Sequence, residues 1–119
     1  MGFINWDELP EQIRGPGRYA RLIKGEQLTV VLMVHEGPMG HELHRHDGIE
    51  QVIYVLDGQV EYTVADEVRI LQKGDAVIIP PGVAHKTRVN PGEKVVSLKL
   101  FSSPQMKKTM LAGKTGQGR

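Results

Sequence analysis

Apolar and polar residues alternate in short blocks along most of this chain. Glycine, proline and acidic turn residues separate the blocks. Period-two blocks predict strands, because successive strand side chains point to opposite faces. Residues 18–24 form the first such block. After a Gly25-Glu26 turn, residues 27–35 (QLTVVLMVH) form a β-branched second. Residues 51–56 and 59–65 follow, with Asp57-Gly58 between them reading as a hairpin turn. Asp66-Glu67 predicts another turn before residues 68–71. Strands are then expected over 76–79, 84–89 and 94–102, punctuated by Pro80-Pro81-Gly82 and Asn90-Pro91-Gly92. Short strands at even spacing, without a long helical pattern, predict an all-β sandwich or barrel.

The two ends depart from this pattern. Residues 1–17 read as an irregular N-terminal arm anchored by Trp6 and Leu9 and broken by Pro10, Gly15, Pro16 and Gly17. Residues 104–119 are basic, with Lys107, Lys108, Lys114 and Arg119 and no acid, and read as a mobile C-terminal tail. The barrel domain is thus expected over residues 18–103. A chain of 119 residues suits one core. The net charge of +1 gives no reason to expect nucleic acid, and no apolar run is long enough for a membrane helix. Cysteine is absent, which excludes disulfides and thiolate catalysis. Without a signal-peptide pattern at the N-terminus, the expected location is the cytoplasm.

The candidate chemistry lies in two stretches. His44-Arg45-His46 places two imidazoles on one side of an extended segment, five residues before Gln51. His85 follows the rigid Pro-Pro-Gly corner. Three histidines and a side-chain oxygen form a plausible shell for one divalent transition metal, and Fe, Mn, Ni, Zn and Cu suit it alike. Glu50 is the rival fourth ligand, but in a strand it points away from the Gln51 face. With three imidazoles and an amide the ion keeps its full charge, which favours an anionic substrate. His35, on one strand face with Thr29, Val31 and Met33, is a candidate acid–base group. His41 is expected to be exposed or backbone-bonded. Tyr54 is expected opposite the Gln51, Ile53 and Val55 face.

The two stretches resemble the paired motifs of the cupin superfamily. His44, His46 and Gly58 match the first motif, and Gly74, Pro80, Gly82 and His85 the second. Three positions depart: Pro38 stands for the leading glycine, Gln51 for the usual glutamate and Val89 for the closing asparagine. The resemblance implies a small jelly-roll barrel, a metal held by His44, His46, Gln51 and His85, and a homodimer. Within the superfamily, residues 3–105 are similar to small His-His-Gln-His cupins of the uronate-linearising, pectin-degradation type. Those carry an acid two places before the closing phenylalanine and an arginine after the proline; here these positions hold Lys99 and Gln105. Since the resemblance turns the Phe101 face inward, Lys99 joins His35 as a catalytic candidate. The implied function is a metal-dependent isomerase or lyase acting on a small anionic, carboxylated or sugar-derived metabolite. The alternatives are a dioxygenase and a non-catalytic metal- or sugar-binding cupin.

Overall fold

A computed structural model of the chain describes residues 2–102; the expected C-terminal tail and Gln105 lie outside the described residues. The strands are β1 (Gln12–Gly15), β2 (Arg18–Lys24), β3 (Leu28–Glu36), β4 (Met39–Gly40) and β5 (Gln51–Val64). They continue with β6 (Glu67–Gln72), β7 (Ala76–Ile79), β8 (His85–Val89) and β9 (Lys94–Ser102). One wall runs β1-β2-β3-β9, then the first half of β5, then β7. The other is built from the second half of β5 with β6, β8 and β4. All pairings are antiparallel, and the walls close as a small jelly-roll barrel.

The arm is less irregular than its sequence suggests. A 3₁₀ turn at Trp6–Glu8 is capped by Asn5, and β1 pairs with β2. Pro16 and Gly17 do not break this sheet; they form the hairpin turn between the two strands. Trp6 anchors through its backbone, with its carbonyl accepting from Arg21 Nη1 at 3.0 Å.

The expected hairpin at Asp57-Gly58 is corrected. β5 runs unbroken through it, and the ladder with β9 slips by one residue between Val55 and Asp57. An aspartate–glycine pair supplies positive φ, which serves a bulge as well as a turn. Here β9 continues alongside, so the strand bends and does not reverse. Gly58 has φ +83°, and a Cβ there would overlap the Lys94 carbonyl oxygen. The extra residue changes parity: Gln51, Ile53 and Val55 face inward before the bend, Val60 and Tyr62 after it. The true reversal is the two-residue loop Ala65-Asp66, one place before the expected turn, with Val64 opposite Glu67.

Register aligns the first wall into rows. One inner row is Lys24, Thr29, Phe101, Gln51 and Ile79; the next is Leu22, Val31, Lys99, Ile53 and Val77. On the outer surface the corresponding rows are Ile23, Val30, Leu100, Val52 and Ile78, then Arg21, Leu32, Leu98, Tyr54 and Ala76. The main apolar core lies between the walls toward the bend, where Ile53, Val55, Val60, Tyr62, Leu71 and Val95 pack together.

Candidate metal and anion site

His44 and His46 do not sit on a regular strand, because β4 ends at Gly40 and the chain crosses the barrel as a loop. Backbone pairing to β8 holds that loop. His44 and His85 exchange both hydrogen bonds, at 3.0 and 2.8 Å, as an isolated antiparallel bridge. The Gly82 amide, presented by the Pro-Pro-Gly corner, donates to the His46 carbonyl at 3.0 Å. Alternation survives without the strand: His44 and His46 are half-buried while Arg45 is exposed.

The loop and β8 bring one ring nitrogen from each of His44, His46 and His85 within 4.8 Å of one another. Two of these rings have their tautomer set by backbone carbonyls. His44 Nδ1 lies 2.8 Å from the Glu42 oxygen, and His85 Nδ1 lies 3.0 Å from the Val83 oxygen. A carbonyl only accepts, so each Nδ1 carries the proton and each Nε2 keeps a lone pair. This is the arrangement a metal ligand needs. Burial, ahead of the neighbouring His44 and Lys99 charges, lowers the His85 pKa and keeps the ring neutral.

Gln51 is 3% exposed, and its Nε2 has no hydrogen-bond partner among the described residues. A buried amide left unpaired is costly unless a ligand completes it. A half-turn of the amide exchanges nitrogen and oxygen, so the group can offer an oxygen to a cation. Gln51 and the three histidines line one cavity of about 460 Å³, whereas Glu50 is exposed and outside its lining. The three histidines could hold a divalent transition ion, and Gln51, unlike Glu50, lines the cavity they share.

All five histidines of the chain line this cavity. Their rings form one series of edge contacts, from His35 to His41 at 5.6 Å, His41 to His44 at 5.8 Å, and on to His46 and His85. His41 corrects the expectation of an exposed or backbone-bonded ring: it is half-buried, with Nδ1 2.6 Å from Thr87 Oγ1. Burial, reinforced by Lys99, pushes His35 down to about 3 and His41 down to about 4. Both rings are neutral near pH 7. Lys99 does point into the cavity, in the row next to Gln51. Burial, then Arg14 and Arg18, pulls its ammonium down to about 8.

Sequence reading overlooked Arg14, Arg18, Lys24 and Thr87, which also line the cavity. Arg14 falls in the stretch read as an irregular arm, where no face can be assigned. In β2 both faces mix charge with apolar groups, so parity does not say which face is internal. Thr87 alternates with His85 on β8, and that spacing was the available signal.

The profile of the cupin domain matches residues 30–102 of this chain. The chain is 32% identical over 81 residues to the pectin degradation protein KdgF of Dickeya dadantii (strain 3937), covering 66% of this chain and 73% of that protein. Among solved structures it resembles KdgF from Halomonas sp., with a TM-score of 0.79 at 24% identity over 86% of this chain and 93% of that one. Oxalate decarboxylase from Bacillus subtilis has a TM-score of 0.72 at 22% identity. That match covers 84% of this chain but 28% of the decarboxylase.

Proposed function

The chain belongs to the cupin family, and on that premise we propose that it is a metal-dependent enzyme acting on a small anionic, sugar-derived metabolite by isomerase- or lyase-type proton transfer. The observation that carries this reading is the cavity itself. Three histidines and an orphaned amide line a space shared with Arg14, Arg18, Lys24 and Lys99, with no aspartate or glutamate among the described lining residues. Descent from a common ancestor with a pectin degradation protein supports the sugar-acid class.

His44, His46, His85 and Gln51 hold the metal, which when bound supplies a Lewis acid that no anionic ligand neutralises. The remaining residues position the substrate and move the proton. Lys99 is the proton carrier, because its pKa of about 8 lies close to the working pH. Its ammonium donates to a substrate oxygen or carbon, and its amine fraction takes a proton from a carbon beside a carbonyl. His35 and His41 are too weakly basic to compete for that proton near pH 7 and serve as neutral polar walls.

The test is incubation of the purified, metal-analysed protein with an unsaturated uronate in deuterium oxide. Deuterium entering the product, lost in Lys99→Met, is the expected result. Oxygen consumption by the iron-loaded protein would instead select the dioxygenase reading. Binding with neither exchange nor oxygen uptake would select a non-catalytic cupin.

The same reading includes a homodimer. The outer surface of the first wall exposes apolar side chains, with Tyr54 40% and Ile78 60% exposed. Sheet faces can pack against each other at about 10 Å, and a second copy would present the same apolar residues. Cytoplasmic placement also belongs to this reading, and cell fractionation checks it.

A further inference from the structure

The metal ligands leave one wall of the cavity unexplained. That wall is built by β1 and β2, and it brings Arg14 and Arg18 to the same space as Lys99 of β9. Ion pairs elsewhere in the molecule join Arg21 to Asp7, Arg69 to Glu67 and Arg88 to Glu61. Among the described residues, neither arginine of the cavity wall nor Lys99 has such a partner.

What the two guanidinium groups do contact is neutral. Arg14 directs Nε and Nη2 at the Gln12 amide oxygen, at 3.2 and 3.0 Å. This is a fork of the kind that grips carboxylate or phosphate, closed on an uncharged group. Arg18 donates Nη2 to the Gly40 carbonyl at 2.9 Å, while its buried Nε has no hydrogen-bond partner. Like charges gathered around one cavity repel each other, and a protein that retains them without counter-charges is arranged to receive an anion.

We infer that Arg14, Arg18 and Lys99 form a second anion subsite, so that the natural substrate carries two anionic groups, one directed to the metal side and one, a phosphate or carboxylate, held on the β1–β2 wall. The inference rests on the proposed enzyme reading for the first group only. The second group is recognised by this chain's own cations whether or not a metal is present. The lowered pKa of Lys99, caused by burial and then by the two arginines, agrees with an uncompensated cluster. The cavity, at about 460 Å³, falls in the range of ordinary small-molecule sites, about 300–1,000 Å³. Lys99 interacts electrostatically with His85 and with both Arg14 and Arg18.

Inorganic phosphate is the probe, titrated calorimetrically into the purified protein and its variants. Losing a charge-assisted hydrogen bond should weaken phosphate binding roughly tenfold or more in Arg14→Gln and in Lys99→Met. Arg14 is exposed at the barrel mouth, so Arg14→Gln keeps the test open if Lys99→Met folds poorly. Lys73→Gln, an exposed change outside the cavity lining, should bind as the unaltered protein does. His46→Ala, which removes a metal ligand, should keep phosphate binding. Competition by succinate distinguishes a carboxylate-preferring from a phosphate-preferring subsite, and either preference agrees with the inference. Equal phosphate affinity in the unaltered protein, Arg14→Gln and Lys99→Met would overturn it. So would phosphate binding abolished by His46→Ala alone, which would put the anion on the metal. A protein that binds phosphate through the arginines yet carries no metal would refute the proposed enzyme while leaving the subsite standing.

Discussion

Both faces of the first wall depart from the usual rule for a half-buried sheet: the inner one carries charge among apolar residues, and the outer one is largely apolar. Its inner face carries Lys24, Thr29, Gln51 and Lys99 in adjacent rows, and its outer face carries Val30, Leu32, Val52, Leu98 and Leu100. Alternation normally puts the apolar set inside. Here Lys24, Thr29, Gln51 and Lys99 line the cavity together with apolar neighbours such as Val31 and Ile53, and further apolar residues stand on the outer face. The second wall buries Val60, Tyr62 and Leu71 in the core and also leaves apolar side chains outside, with Val68 and Ile70 exposed on β6. One barrel thus divides its labour. Toward the bend the walls touch and make a core; toward the metal side they part and make a site.

The sharpest way to break this division is to cut the core where the walls touch. Ile53 is 1% exposed and packs with Val55 and Tyr62. Ile53→Ala should cost about 2–5 kcal/mol, through lost apolar burial and the cavity left behind. Denaturant unfolding measures it, and a cost below that of a surface change would contradict the packing.

Acid should act on the inner face next. His35 is 2% exposed and its folded-state pKa is about 3, below the ordinary 6.5. The unfolded chain therefore takes up a proton first as pH falls. The stability due to the neutral ring is complete above about 6.5 and is lost progressively toward about 3. By pH 5 the loss from this group reaches about 2 kcal/mol, from 1.36 kcal/mol per pKa unit. Unfolding curves of the protein and His35→Gln across pH 7 to 4 should differ in slope, with the variant shallower. Parallel curves would remove His35 from the account.

Outer-face changes should scarcely touch the fold. Tyr54→Lys with Ile78→Lys should alter the stability of each chain by less than about 1 kcal/mol, as for surface positions. Sedimentation should nonetheless shift from dimer to monomer. A double variant that still sediments as a dimer would place the interface elsewhere.

The sequence disclosed a good deal of this, and its failures have physical reasons. Strand positions followed from alternation, and the inward direction of Gln51, Ile53 and Val55 against Tyr54 followed from parity. The Asp57-Gly58 bulge did not, because the same dipeptide serves a turn or a bulge, and only the neighbouring β9 decides. The three clustered histidines were visible from their motif spacing. Arg14 and Arg18 were not, because Arg14 falls in a stretch that reads as irregular and both faces of β2 mix charge with apolar groups. The ring partner of His41 was not legible either, because Thr87 is 46 residues away.

In the proposed metal site an amide, not the adjacent carboxylate, completes the set of three histidines. Metal content per chain, measured by elemental analysis on the protein, Gln51→Ala and Glu50→Ala purified side by side, tests this most directly. The expected result is about one transition ion per chain in the protein and in Glu50→Ala, with a sharp fall in Gln51→Ala, since an incomplete shell holds metal poorly. Full occupancy in Gln51→Ala together with metal loss in Glu50→Ala would contradict it.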